Sequence, residues 1–190
     1  MATRHAHFRF RTDSRTRFMS AQQVQIPSGD DAQSHLAAMR ARVKGRNINE
    51  KTLLATDYLN HFNEIVMLIE MVPDLPEMID DVKMWQPKTY PEHFADSGFS
   101  DKDLAIAAYE VAPAEYRQPF ERTVGQIDRV IIQSLDEIQV AVDDGEDDEL
   151  RRACTATVAI LKKLIALTDA VIHGNTVATD QDTIDTLLDD

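Results

Sequence analysis

From Phe120 onward, Val124, Ile127, Ile131, Leu135, Ile138 and Val142 recur at intervals of four and three, laying one continuous apolar stripe along a helix. A second stripe follows Asp143-Asp144-Gly145, carried by Leu150, Cys154, Val158, Leu161, Ile165 and Ile172. Gly145 suits the left-handed residue that stops the first helix. Glu146, Asp147, Asp148 and Glu149 suit the positive start of the second. Two long helices joined by so short a turn must lie antiparallel, and His173-Gly174-Asn175 closes the pair. Each stripe is too wide for the pair alone to cover. A further helix of the chain, or a second copy of it, is therefore expected to complete a four-helix bundle.

The same patterning places shorter elements upstream. Leu36, Met39 and Val43 predict a helix from Asp31 to Lys44, punctuated by Gly45 and Asn47. Leu53, Leu54, Leu59, Phe62, Ile65, Val66 and Ile69 predict a strongly apolar helix over Asn49–Met71, which Pro73 and Pro76 end. A short amphipathic helix starts at Pro76 and stops near Trp85. Pro87, Pro91 and Gly98 mark residues 86–100 as a loop, and Ser100-Asp101-Lys102-Asp103 offers an N-cap for a helix reaching Val111. The predicted class is all-α: a long antiparallel helical hairpin within a four-helix-type bundle over residues 31–174. A mobile leader, 1–30, precedes it, and an acidic linker with a peptide helix, 175–190, follows.

Composition agrees with helices and narrows the partners. Glycine (6) and proline (7) are scarce for a turn-rich β fold, and the formal net charge is −13. The charge is uneven: residues 1–18 hold Arg4, Arg9, Arg11, Arg15 and Arg17 against Asp13 alone, so the remainder is more acidic than the total. Met19 reads as a start preceded by a non-native extension. An acidic body repels phosphates, which excludes nucleic acid as the main ligand and favours a basic protein surface. The single cysteine, Cys154, excludes an internal disulfide and a cysteine-based zinc site. No apolar run reaches the roughly 18 residues of a membrane span, and the chain reads as cytoplasmic.

The end of the chain carries a separate signal. Thr179 and Asp182 form a capping box, and Ile184, Leu187 and Leu188 make a small apolar knob ringed by acids. So short a helix is marginal alone and is expected to fold on something. Gln181-Asp182-Thr183-Ile184-Asp185-Thr186-Leu187-Leu188-Asp189 resembles the C-terminal peptide of the chemotaxis phosphatase CheZ. It is also similar to the N-terminal peptide of the flagellar switch protein FliM. In both families this peptide docks on the response regulator CheY. The resemblance implies a CheY-like partner held through Gln181, Asp182, Ile184, Asp185, Leu187 and Leu188. It also implies a homodimer, because CheZ-like proteins place the peptide after an acidic hairpin that dimerises.

A helper phosphatase for such a regulator needs little chemistry of its own. The regulator supplies the phospho-aspartate and the Mg2+, so no cofactor is expected on this chain. The helper inserts an amide to orient the attacking water and an acid to engage the regulator's lysine, about one helical turn apart. Phe120-Glu121-Arg122-Thr123-Val124-Gly125-Gln126 resembles the CheZ active segment and nominates Gln126, although Arg122 stands where that family has its catalytic aspartate. Asp57 and Asn60 are similar to the acid-x-x-Asn pattern of the CheC and CheX phosphatases. Asp136 and Gln139 offer the same two chemistries in the hairpin. Two other classes compete. One is a scaffold or adaptor without chemistry. The other is a metal-binding bundle using His61, Glu64, Glu70 and His93, although the chain lacks the Glu-x-x-His of di-iron bundles. Trp85, Tyr90, His93, Phe94 and Phe99 concentrate aromatics in one loop, expected as a lid over a bundle end.

Overall fold

The computed structural model describes residues 29–176, and every regular element among them is helical. In order these are α1 (Gly29–Val43), α2 (Asn60–Met71), α3 (Ile79–Met84), α4 (Tyr90–Asp96), α5 (Lys102–Glu110), α6 (Ala114–Asp144) and α7 (Asp147–Ile172). Two 3-10 turns, Thr56–Leu59 and Pro76–Met78, lead into α2 and α3. No helix among the described residues is long and apolar enough to cross a membrane.

The two longest helices meet at Gly145 and Glu146 and pack against each other. Gly145 takes the left-handed conformation, φ 69°, and its N–H donates to the Val142 carbonyl. That conformation strains any residue with a Cβ, so the stop predicted from sequence is a stop by stereochemistry. Asp147, Asp148 and Glu149 occupy the first turn of α7, against the positive end of its dipole.

The buried line on α6 is rotated from the predicted stripe. Thr123, Val130 and Ala141 are buried beside Phe120, Ile127, Ile131 and Ile138, whereas Val124, Leu135 and Val142 are half-buried. On α7, Leu164 and Val171 enter the core and Ile165 is half-buried. Helix α2 supplies the third layer. It runs antiparallel to α7, shown by the Glu70–Lys162 ion pair at 2.6 Å and the Asp74–Arg151 pair at 2.9 Å. Its Phe62, Ile65 and Ile69 are wholly buried.

The predicted helix over 49–71 is corrected, because only its second half forms. Asn49 turns its side-chain oxygen onto the N–H groups of Lys51 and Thr52, at 2.9 and 3.0 Å, offering the backbone an alternative to a helix. Leu53 then adopts a left-handed conformation, φ 62°, with its side chain fully buried. Tertiary bonds hold the loop. Thr52 Oγ1 donates to the Ile172 carbonyl at 2.7 Å, and the Ala55 N–H donates to Tyr90 Oη at 2.9 Å. Burial of Leu53 and Leu54 outweighs their helical spacing.

The aromatic loop is also corrected. Residues 90–96 form α4, opened by a capping box in which Thr89 and Glu92 satisfy each other's backbone N–H groups. Tyr90 and Phe94 are core residues, so this segment is part of the interior and not a lid. Within the predicted N-cap segment 100–103 the N-cap residue is Asp101, whose side chain makes no cap bond and pairs with Arg46 at 3.2 Å.

Candidate functional site

Asp57 lies in the 3-10 turn Thr56–Leu59, and the Asn60 N–H reaches back to the Asp57 carbonyl. In 3-10 geometry residues three apart eclipse, so the acid and the amide leave the turn on one side. Asp57 is half-buried and accepts a bond from the Asn47 side-chain amide, while Asn60 is exposed. The tertiary fold places this turn beside the end of α7. Asn47, Thr56, Ile172 and His173 share a recess of about 180 Å³. Lys51 Nζ donates to the Gly174 carbonyl at 3.1 Å, tethering the chain there as it passes toward residue 177.

The other predicted site residues are distributed differently. Gln126, half-buried on α6, accepts from Arg129. Phe120 is core, and Glu121 accepts from Tyr109 Oη at 2.7 Å with Arg117 at 3.4 Å. The segment resembling the CheZ active site is thus occupied by its own neighbours. Gln139 donates to Asp143 at 2.6 Å near the α6–α7 turn, on a different helix from Asp57 and Asn60, and Asp136 is exposed. Gln181, Asp182, Ile184, Asp185, Leu187 and Leu188 lie outside the described residues, as does the leader through residue 28.

His61 and His93 do come together, with ring centroids 5.9 Å apart. His61 is 6% exposed and stacks on Trp85 at 4.8 Å and 22°. Its Nε2 has no hydrogen-bond partner. Burial, with His93 adding to it, pushes the His61 ring down to about 4. His93 is lowered as well, again chiefly by burial. Glu64 is exposed and Glu70 pairs with Lys162, so the proposed carboxylates do not join the two rings. Among the described residues no group of three or more His, Cys, Asp or Glu side chains is placed to hold a metal ion.

A site that the spacing of residues did not reveal lies next to this cluster. Tyr58, Tyr90, Tyr109 and Phe120 come from four separate elements and wall a cleft of about 350 Å³. Tyr90 stacks on Tyr109 at 4.5 Å and 13°, and Tyr58 lies 5.4 Å from Phe120. The Tyr58 hydroxyl donates to the Lys88 carbonyl at 2.7 Å, which fixes the ring. Asp128 also lines the cleft, half-buried, with one carboxylate oxygen lacking any partner. Burial pushes this carboxyl up to about 6. The available signal was the acid at the third step of Phe120, Val124 and Asp128, on the apolar side of α6.

Comparison with protein-family models, with curated proteins and with solved structures finds no match to this chain.

Proposed function

We propose that this chain is a cytoplasmic signalling protein that binds a CheY-like response regulator through residues 181–189 and hastens loss of its aspartyl phosphate. One observation supports the two halves together. The acid–amide pair Asp57 and Asn60 lies at the same end of the molecule from which the chain runs on from Thr176 to the docking sequence. Ile184 lies eight residue steps beyond Thr176, a reach of up to about 27 Å when extended. A regulator gripped by Ile184, Leu187 and Leu188 is therefore within range of that turn.

In this reading the regulator brings the Mg2+ and the phosphorylated aspartate. The Asn60 amide orients a water in line with the phosphorus, and Asp57 engages the regulator's lysine. Water oxygen bonds to phosphorus, the bond to the aspartyl oxygen breaks, and phosphate leaves. Gln126 is the second choice for the amide, because Arg129 holds it. Ile132 and Val140, 53% and 59% exposed on α6, favour a second copy packing there, which would give a four-helix arrangement from two α6–α7 pairs.

The test is a titration of the full chain against phosphorylated and unphosphorylated receiver domains, with regulator phosphate followed in time. Ending the chain at Thr176 should abolish binding, and Asn60→Ala should slow phosphate loss at least tenfold with binding intact. Binding without any effect of Asn60→Ala, Asp57→Ala or Gln126→Ala on the rate would assign a non-catalytic adaptor instead. If neither form of the receiver binds, the signalling reading fails.

A further inference from the structure

Resting on the two-copy reading of α6 and α7, we infer that the second copy lies antiparallel across the open side of this pair, Gln133 opposite Gln133. Helix α2 pairs with Arg151 and Lys162 on one flank of α7. The other flank, with the facing side of α6, borders a groove of about 590 Å³ floored by Val140, Ala141, Ala153 and Ala156. Val140 is 59% exposed there, and Ala156 is exposed as well. Such small side chains let a further helix approach closely.

Charge decides the direction. Arg122, Arg129, Gln133, Glu137, Val140 and Asp144 follow at intervals of seven, four, four, three and four, so they share one side of α6. That side is basic at one end and acidic toward the α6–α7 turn. Glu149, Ala156 and Lys163, seven apart, repeat the gradient on α7, with the acid again beside the turn. All of these charged side chains are exposed. Among the described residues Arg122, Arg129 and Lys163 enter no ion pair, and neither do Glu137 and Asp144.

The series on α6 is centred on Gln133. Arg122 and Asp144 stand eleven residues to either side of it, and Arg129 and Glu137 four. A two-fold axis at Gln133, perpendicular to the helices, sets Arg122 against Asp144 of the second copy and Arg129 against its Glu137. Each contact then occurs twice, as an isologous interface requires. The same axis sets Lys163 against Glu149 about Ala156. Gln133 lies twelve residues before Gly145 and Ala156 eleven after it, so in antiparallel helices one axis serves both. With both turns at one end, Glu137, Asp144 and Glu149 of the two copies crowd together, and like charges oppose that arrangement. Exposed ion pairs add little affinity, so they choose the orientation while the groove supplies the contact.

Sedimentation equilibrium of the full chain reads the association. The expected result is a dimer of micromolar Kd at about 50 mM salt, weakened at least tenfold at about 500 mM. Arg129→Glu and Glu137→Arg should each weaken it at least tenfold, and the two changes together in one chain should restore it. Circular dichroism separates a misfolded variant from a weakened dimer. Mild oxidation of an equimolar mixture of Arg122→Cys and Asp144→Cys chains should give the mixed disulfide ahead of either self-linked product, while buried Cys154 stays out of the reaction. A monomer throughout, insensitivity to salt, or failure of the double reversal to restore association overturns the inference. Self-linking ahead of the mixed product overturns it as well and places both turns at one end. That last outcome leaves the two-copy reading standing, whereas a monomer removes both. No receiver domain enters these measurements, so the regulator reading stands or falls separately.

Discussion

Acid should withdraw the contribution that His61 makes to the stability of this fold. Its ring is 6% exposed, stacked on Trp85, and carries a ring nitrogen without a partner. Burial lowers it from 6.5 to about 4, so the folded protein holds the ring neutral in a range where the unfolded chain protonates it. The sign follows from linkage. A depressed folded pKa contributes stability that is complete above pH 6.5 and is lost as the pH falls through 6.5 toward 4. With those two values the loss at pH 5 is about 2 kcal/mol relative to pH 8, rising to about 3 kcal/mol below pH 4. Against a total of roughly 5–15 kcal/mol for a domain of this kind, that is a large fraction.

Urea unfolding followed by the fluorescence of Trp85, the sole tryptophan, measures it where the effect arises. At a denaturant slope of about 2 kcal/mol/M, His61 alone lowers the midpoint by about 1 M between pH 8 and pH 5, while the raised Asp128 carboxyl, protonated first in the folded state, opposes that fall. His61→Phe keeps an aromatic ring against the indole and removes the titration, so its midpoint should change by less than half as much. In that variant His93, also lowered by burial, acts in the same direction as His61 did, and Asp128 acts against it. Identical pH profiles for the wild type and His61→Phe would refute the assignment, as would an NMR titration placing His61 near 6.5.

Three further outcomes test the described architecture. Gly145→Ala meets no neighbour but must hold a φ of 69°, so it should cost about 1 kcal/mol and lower Tm by roughly 2–4 °C in a calorimetric scan. Thr89→Ala removes the capping box of α4 and should cost about 1 kcal/mol by urea unfolding, whereas Thr89→Ser should cost much less. Cys154 is 1% exposed and burial pushes its thiol up to about 11, so iodoacetamide at pH 8 should label it only slowly until urea is added. Rapid labelling of the folded protein would place that thiol at the surface.

How much of this could be read from sequence depends on the range over which each determinant acts. The α6–α7 pair was legible because its determinants are local: a repeating apolar spacing, a glycine that must turn left-handed, and four acids at a helix start. Residues 49–59 were misread because their apolar spacing is helical while the forces that shape them are not local. Asn49 competes for the backbone, and Ile172 and Tyr90, more than 30 residues away, take the polar groups of Thr52 and Ala55. Asp57 and Asn60 fall where the 3-10 turn runs into α2, and residues three apart lie on one side there much as they do in a helix.

The aromatic cleft shows the same division at a longer range. Tyr58 sits at the close of the misread segment, Tyr90 in α4, Tyr109 in α5 and Phe120 in α6, so each ring comes from a different element. What places them together is the loop over residues 49–55. Because Leu53 turns the chain and Ala55 hands its N–H to Tyr90, the 3-10 turn arrives against α4, and Tyr58 donates to the Lys88 carbonyl just before it. Asp128 then closes the space from α6. An acid on the apolar side of a helical stripe is the one part of this site that periodicity does expose. Elsewhere on α6 the acids Asp136, Glu137, Asp143 and Asp144 are exposed, where charge costs nothing to solvate. Asp128 alone among them is half-buried with an oxygen unpaired, and burial is what raises its carboxyl, so packing of the four rings beside it sets the state of this acid.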